Sequence, residues 1–323
     1  KPFKLKPVQY DLQMYRYYAE IFLERDEVQA IKILFIGTIQ FSLHCLERLL
    51  KINSNVVGVC TKKTSSINND YADLSPICEL NSIPCLHVEN LNSKENIKWI
   101  NNLSPDVIFC FGWSSIIHKE ILSIPPLGIV GYHPTRLPEN RGRHPLIWAL
   151  VMGLEKSAST FFFMSEGIDD GEILSQVDFP ILYEDDAQSL YEKVTGVALE
   201  QIENFVPKLK NNDYRLITQN HNTSNYLRNR NQDDGLIDFR MSSRAIYNLV
   251  RGLTKPYIGA HIYYRGENIS IWKVKELENV QKNIEPGKVL KIYDTSIVIK
   301  CFDKSIEIIE HDFKTLPKVG EYL

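Results

Sequence analysis

The sequence predicts a two-domain α/β protein: a Rossmann-like, mostly parallel sheet first, then a smaller, mainly-β domain. Three observations predict it. Short apolar runs alternate with helically periodic segments from residue 31 to about residue 133. A long amphipathic stretch, 186–210, follows. Beyond a polar stretch, five short strand-like runs come in quick succession. The 323 residues suit about two domains.

Residues 1–30 stand outside the strand–helix repeat. Leu12, Tyr15, Tyr18, Ile21 and Phe22 recur at roughly helical spacing, which predicts a short amphipathic extension packed on the body or on a second subunit. IKILFIG then reads as a strand ending at Gly37, and FSLHCLERLLK as the helix behind it. NVVGVCT is a second strand, SPICELNS a helix and IPCLHV a third strand. SKENIKWINNL is helical, with Ser93 placed to cap it. DVIFCFG is a fourth strand, IHKEILSI a helix and GIVGYHP a fifth strand. Runs this apolar imply strands covered on both faces. In such sheets ligands bind beyond the carboxyl ends of the strands. That rule brings Gly37, the loop after Phe111, and His133 to one rim.

In 186–210 the apolar positions Leu190, Val194, Val197, Ile202, Phe205 and Leu209 mark one face of a long helix. NHNTSNYLRNRNQDDG reads as a linker. The helix SSRAIYNLVRGL and the strands AHIYY, ISIWKV, KVLKIY, SIVIKCF and SIEIIE complete the chain as a small sheet or barrel. The expected division is 1–30 as an extension, 31–212 as the main domain and 213–323 as the small one.

Composition narrows the function. The net charge is -3, which argues against nucleic acid as a general partner, because phosphate neutralisation needs a concentrated basic surface. The six cysteines, Cys45, Cys60, Cys78, Cys85, Cys110 and Cys301, contain no CxxC pair. They read as reduced thiols, and no metal is expected. No run approaches the roughly 18 apolar residues of a membrane span. The opening KPFKLKPVQYDLQ is polar where a signal peptide would be apolar. The expectation is a cytoplasmic protein.

The chemistry concentrates in FCFGWSS, GYHPTRLPENRGRHPLIWAL and EGIDDGEIL. His133 ends a buried strand and precedes Pro134, so it faces the rim. There it serves as a proton donor or oxyanion stabiliser, or as a satisfied structural histidine. Arg141 and Arg143 suit an anionic ligand, or equally a solvated loop. GIDDG sets two carboxylates between glycines that allow close backbone approach; it also reads as a plain hairpin turn. Asp169 is placed to pair with His133 and orient it.

Taken together these segments resemble the folate-dependent formyltransferases. HPTRLPENRG is similar to their HxSLLPxxRG signature and EGIDDGEIL to their GxDxGxxL motif. FIGTIQFSLHCLERLL resembles the family's first strand and helix. DDGLIDFRMSSRAIYNLVRGLTKPYIGAH resembles the opening of its C-terminal, OB-like domain. The resemblance covers most of 31–275.

It implies formyl transfer from N10-formyltetrahydrofolate to an amine without a metal, with His133 and Asp169 as the catalytic pair. Asp170 sits where the family often has Thr. The resemblance also implies a carrier site at Phe109–Trp113 (Phe109, Phe111, Gly112, Trp113) and at Glu166, Gly167 and Ile168. Trp113 fits either ring stacking or the core. Gly131 departs from the family's Asn two residues before the histidine, so an amide donor for the oxyanion is missing. A water, a backbone N–H or a side chain such as Ser114 then has to replace it.

RGRHPLIWALV resembles the sugar-acting branch through Arg143, His144 and Trp148. The expected acceptor is therefore an amino sugar, nucleotide-linked, held by Arg141, Arg143 and His144. Such a product would serve surface glycan synthesis. Methionyl-tRNA is the alternative acceptor, and a homodimer is compatible with the N-terminal extension.

Overall fold

A computed structural model describes residues 30–64, 70–278 and 282–323. The expected N-terminal helix lies outside the described residues. Five strands build the parallel part of the first sheet: β1 (Ile33–Ile36), β2 (Val56–Thr61), β3 (Cys85–His87), β4 (Val107–Cys110) and β5 (Ile129–His133). Helices α1 (Gln40–Lys51), α2 (Ser75–Leu80), α3 (Lys94–Leu103) and α4 (Lys119–Leu122) connect them. Ser93 caps α3 by accepting the Asn96 N–H at 3.3 Å.

Sequence periodicity did not reveal the next elements. After the short β6 (Arg141–Gly142) and α5 (Pro145–Val151), strands β7 (Lys156–Phe163) and β8 (Ile173–Pro180) form a hairpin. It adds antiparallel to β5, giving the order β3-β2-β1-β4-β5-β7-β8. KSASTFFF is buried along nearly its whole length, so it lacks the apolar–polar alternation that marks a half-exposed strand.

The long helix α6 (Ala187–Lys210) is capped by Asp186, which accepts the Ser189 N–H at 2.9 Å. It packs with α1 over one face of the sheet, where Phe35, Phe109, Phe111, Phe161 and Phe205 form an aromatic core. Residues of α3 and α4 cover the other face, with Ile100 and Ile121 fully buried there.

The segment after α6 returns to the first domain. Ile217 bridges Ile173, and β9 (Tyr226–Leu227) pairs in parallel with β6. Helix α7 (Ser243–Leu253) then leads into a five-stranded antiparallel sheet. Its strands are β10 (Ala260–Tyr264), β11 (Glu267–Leu277), β12 (Val289–Tyr293), β13 (Ser296–Lys300) and β14 (Ser305–His311), in the order β10-β11-β14-β13-β12.

Helix α5 joins the two units, because Ile147 is part of the second core. Gly252 lets the helices approach closely: a Cβ there would lie 3.2 Å from Val151 and 3.3 Å from Leu150. Among the described residues no helix is long and apolar enough to cross a membrane.

Candidate active site

The strand ends converge as the sheet rule requires. Ser42, at the start of α1, donates to the Phe111 carbonyl at 2.6 Å and accepts the Thr38 and Ile39 N–H groups at 3.2 Å. One hydroxyl therefore fastens the ends of β1 and β4 together. Gly37 is required beside it, since a Cβ would fall 2.4 Å from Ser42 and 2.7 Å from the Phe111 carbonyl oxygen.

Beyond this rim opens a cavity of about 320 Å³. Its walls carry Cys110, Gly112, Trp113, Ser114, Gly131, His133, Arg143, His144, Met164 and Asp169 on one side. Asp70, Tyr191 and Tyr257 stand on the same wall and also line an adjoining cavity of about 610 Å³. Tyr191 donates to Asp70 at 3.1 Å and accepts the Phe41 N–H at 2.9 Å. Burial raises the Asp70 carboxyl above its ordinary value, although the Tyr191 hydrogen bond opposes that. Burial pushes Tyr257 up to about 12.

His133 is 5% exposed. Its Nε2 lies 2.8 Å from the Asn140 carbonyl oxygen, which can only accept, so Nε2 carries the proton. Its Nδ1 faces Asp169 Oδ2 at 3.6 Å, an ion-pair separation too long for a hydrogen bond. The imidazole is therefore oriented by the Asn140 carbonyl rather than by Asp169. The sequence assigned that task to the carboxylate.

Asp169 Oδ2 is held by the Gly142 N–H at 2.9 Å. Gly142 has φ +102°, and a Cβ there would meet the Leu227 carbonyl oxygen at 2.5 Å. Only glycine lets the chain pass between β9 and the carboxylate. Asp169 itself has φ +51°. Asp170 turns away and accepts a short hydrogen bond from Ser165, over Gly167. Of the two carboxylates in GIDDG, the first is thus the one that meets His133.

Other expected contacts fall elsewhere. Arg141 is 1% exposed and is not on the cavity wall. Its guanidinium bonds to Gln219 Oε1 at 2.7 and 3.2 Å and to the Tyr226 hydroxyl at 3.0 Å. Arg141 was expected at the substrate; the structure instead buries it as an internal cross-link away from the cavity wall. Phe109 and Phe111 are completely buried core side chains, and that strand end offers the cavity Cys110, Gly112 and Trp113 instead.

Glu166, Gly167 and Ile168 lie on the exposed loop outside the cavity wall, where Glu166 pairs with Lys119 at 2.9 Å. Arg143 and His144 do reach the wall. Arg143 donates to the Ser114 carbonyl at 3.3 Å, and His144 bonds Asn229 at 2.8 Å.

The space expected for an amide at position 131 is filled. A Cβ on Gly131 would lie 2.9 Å from Met164 Cγ and 3.1 Å from Phe162 Cζ. The residues that sequence reading missed are Asn140, Gln219 and Asn225, because their roles rest on contacts with distant segments. Among the described residues, no three His, Cys, Asp or Glu side chains gather as metal ligands.

Known proteins are similar to this chain along most of its length. A family model described as formyl transferase matches residues 31–204, and one described as formyl transferase, C-terminal domain, matches 230–319. The methionyl-tRNA formyltransferase of Clostridioides difficile (strain 630) is 30% identical over 299 residues, 91% of this chain and 96% of that one. The bifunctional polymyxin resistance protein ArnA of Wigglesworthia glossinidia brevipalpis is 35% identical over 270 residues, 83% of this chain and 41% of that longer protein. Among solved structures, the N-formyltransferase from Helicobacter canadensis, in complex with folinic acid and dTDP-3-aminofucose, shares the fold with a TM-score of 0.65 at 20% identity. That match covers 86% of this chain and 98% of that one. Matched over more than half its length by the first family model, and aligned almost end to end with a 30% identical relative, the chain belongs to the formyl transferase family.

Proposed function

We propose that the protein transfers a formyl group from N10-formyltetrahydrofolate to the amine of an amino sugar, nucleotide-linked, with His133 and Asp169 as the reacting pair. The observation that carries this reading is the compact cavity beside His133, with Asp169 Oδ2 and His133 Nδ1 3.6 Å apart on its lining. Its aromatic walls suit a sugar or base face. Arg143 and His144 at its edge suit an anionic group. The Helicobacter canadensis relative, whose bound molecules are a folate and a nucleotide-linked amino sugar, supports the same class.

The folate carrier supplies an activated one-carbon unit. It fits the Gly112–Trp113 end of the cavity. There Trp113 Nε1 is buried without a hydrogen-bond partner among the described residues, while Cys110 and Met164 provide apolar surface. An acceptor-bearing heteroaromatic ring would satisfy that N–H.

The remaining work belongs to the side chains. With Nε2 fixed on the Asn140 carbonyl, His133 in its doubly protonated form would donate Nδ1–H to the charge developing on the formyl oxygen. Asp169 would accept the proton shed by the attacking amine and return it to the carrier nitrogen as the old C–N bond breaks and tetrahydrofolate leaves. Holding both reactants in one cavity lowers the entropic part of the barrier.

Methionyl-tRNA is the second reading, favoured by the 30% identity along almost the whole methionyl-tRNA formyltransferase chain. The test is formyl transfer from N10-formyltetrahydrofolate to a panel of nucleotide-linked amino sugars and to charged initiator tRNA. Turnover of a sugar that falls roughly 10²–10⁴-fold in His133→Ala supports the proposal. Turnover of the tRNA alone replaces the acceptor class. Full activity in His133→Ala removes the assigned pair.

A further inference from the structure

Gln219 lies between α6 and β9, itself in neither helix nor strand, yet it is 4% exposed. Its amide makes four hydrogen bonds. Nε2 donates to the carbonyl oxygens of Asp169 at 2.9 Å and Gly171 at 2.7 Å. Oε1 accepts from Arg141 Nε at 3.2 Å and Nη2 at 2.7 Å. Only one orientation of the amide works. The flipped form would aim an oxygen at two carbonyls and an NH₂ at a guanidinium.

We propose that Gln219 is a positioning residue for formyl transfer: it holds the Asp169 loop in the shape that turns the carboxylate toward His133. The inference rests on the proposed roles of His133 and Asp169. Its physical basis is the backbone. Asp169 occupies the left-handed region at φ +51°, which an L-residue leaves unless its surroundings hold it. The Gly142 N–H holds the carboxylate itself. Gln219 grips the main-chain carbonyls on both sides of Asp170, which fixes the peptide planes that aim Asp169. Arg141 in turn fixes Gln219, and it is joined through Gly142 to the other end of the same carboxylate contact. A buried loop is thus closed through Asp169, Gln219, Arg141 and Gly142.

The discriminating variant is Gln219→Glu. It keeps the size and gives Arg141 a charged acceptor, but it sets oxygens against the two loop carbonyls. Gln219→Met, which removes every hydrogen bond, is measured beside it. Both are assayed in the full chain for kcat, for KM of N10-formyltetrahydrofolate and for thermal midpoint.

The expected result is a kcat loss of roughly 10–100-fold in both variants, the scale of a small misplacement, with KM changed less than about threefold. Both variants should also lose thermal midpoint, since each leaves the two loop carbonyls without their donor, so kcat is read well below either midpoint. In an Asp169→Asn background, Gln219→Glu should lower kcat by less than about twofold, because residues that act through one another do not add. Wild-type kcat in Gln219→Glu, or an undiminished further loss in the Asp169→Asn background, overturns the proposal. If Asp169→Asn itself keeps full turnover, the reading of the reacting pair falls and takes this inference with it. If Asp169→Asn is crippled while Gln219→Glu is not, only the positioning role is lost.

Discussion

His133 is held by a main-chain oxygen, so its orientation depends on how the Asn140 peptide is anchored. Asn140 has φ +58° and is fixed by one residue, Asn225. Asn225 Oδ1 accepts the Asn140 N–H at 2.8 Å, and its Nδ2 donates to Asn140 Oδ1 at 3.0 Å. Asn225→Leu should lower turnover roughly tenfold through this peptide while leaving the protein folded. Turnover and thermal midpoint measured together check it, and unchanged turnover counts against the anchoring role. Position 131 gives a second prediction. Restoring the family's residue with Gly131→Asn drives a side chain into Met164 and Phe162, so it should destabilise by about 1–3 kcal/mol and not raise kcat. Gly131→Asn combined with Met164→Ala should recover the stability, as thermal unfolding of the three proteins would reveal. A stable, faster single variant would show that the space is open.

Between elements, the critical joint is α7 against the loop that precedes α6. Arg251, 9% exposed, donates to the carbonyls of Leu182 at 2.8 Å, Tyr183 at 3.0 Å and Asp185 at 2.9 Å, and its Nε to Asn248 at 2.9 Å. Tyr247 adds a hydroxyl to the Tyr183 carbonyl at 2.8 Å and stacks on the Tyr183 ring. One guanidinium thus gathers three carbonyls of the turn, and Leu182 and Tyr183 are also paired by the Asp185 N–H and the Tyr247 hydroxyl. Arg251→Ala leaves the Asp185 carbonyl without its donor, at about 1–3 kcal/mol for a buried group. Urea unfolding should show a clearly lowered midpoint, and an unshifted midpoint would mean that water replaces the guanidinium.

Across the whole molecule, acid stability follows from the same joints. Burial alone would raise the Asp185 carboxyl. Hydrogen bonds from Lys193, the Leu182 N–H and Ser189 outweigh it and hold the group below its ordinary value. The Arg228 guanidinium and the Asn231 N–H hold Asp234 well below that value too. A depressed folded value means stability that is present above the unfolded carboxylate value, about 3.9, and is lost as pH falls through the folded one. Asp70 runs the other way: burial raises it, so it favours the folded state when protonated. The expectation is a protein that loses stability steeply below about pH 4, with a shallower loss in Asp185→Asn. Urea midpoints at pH 6 and pH 3 measure this, and identical slopes in the two proteins would remove Asp185 from the account.

The sequence by itself determined the parallel strands, the helices between them, the long α6, the strands of the second sheet and the rim on which His133 lies. Each of these is written in apolar spacing along its own segment, or in a cap such as Ser93. It also distinguished Asp169 from Asp170, through the family motif. Only the tertiary structure decided the rest. The turn of the β7–β8 hairpin was legible in GIDDG, but strand β7 escaped notice because a strand buried on both faces has no alternation to read. Arg141 looked like a ligand contact because a loop arginine is exposed until another segment covers it, and that segment comes from 78 residues away. The polar stretch 220–235 read as a linker because Asn225 and its neighbours have no apolar pattern, and Gln219 just before it gave no signal for the same reason. Their function lies in hydrogen bonds to the Asp169 and Asn140 loops. A bond of that kind depends on where two distant pieces of chain meet, which local sequence does not encode.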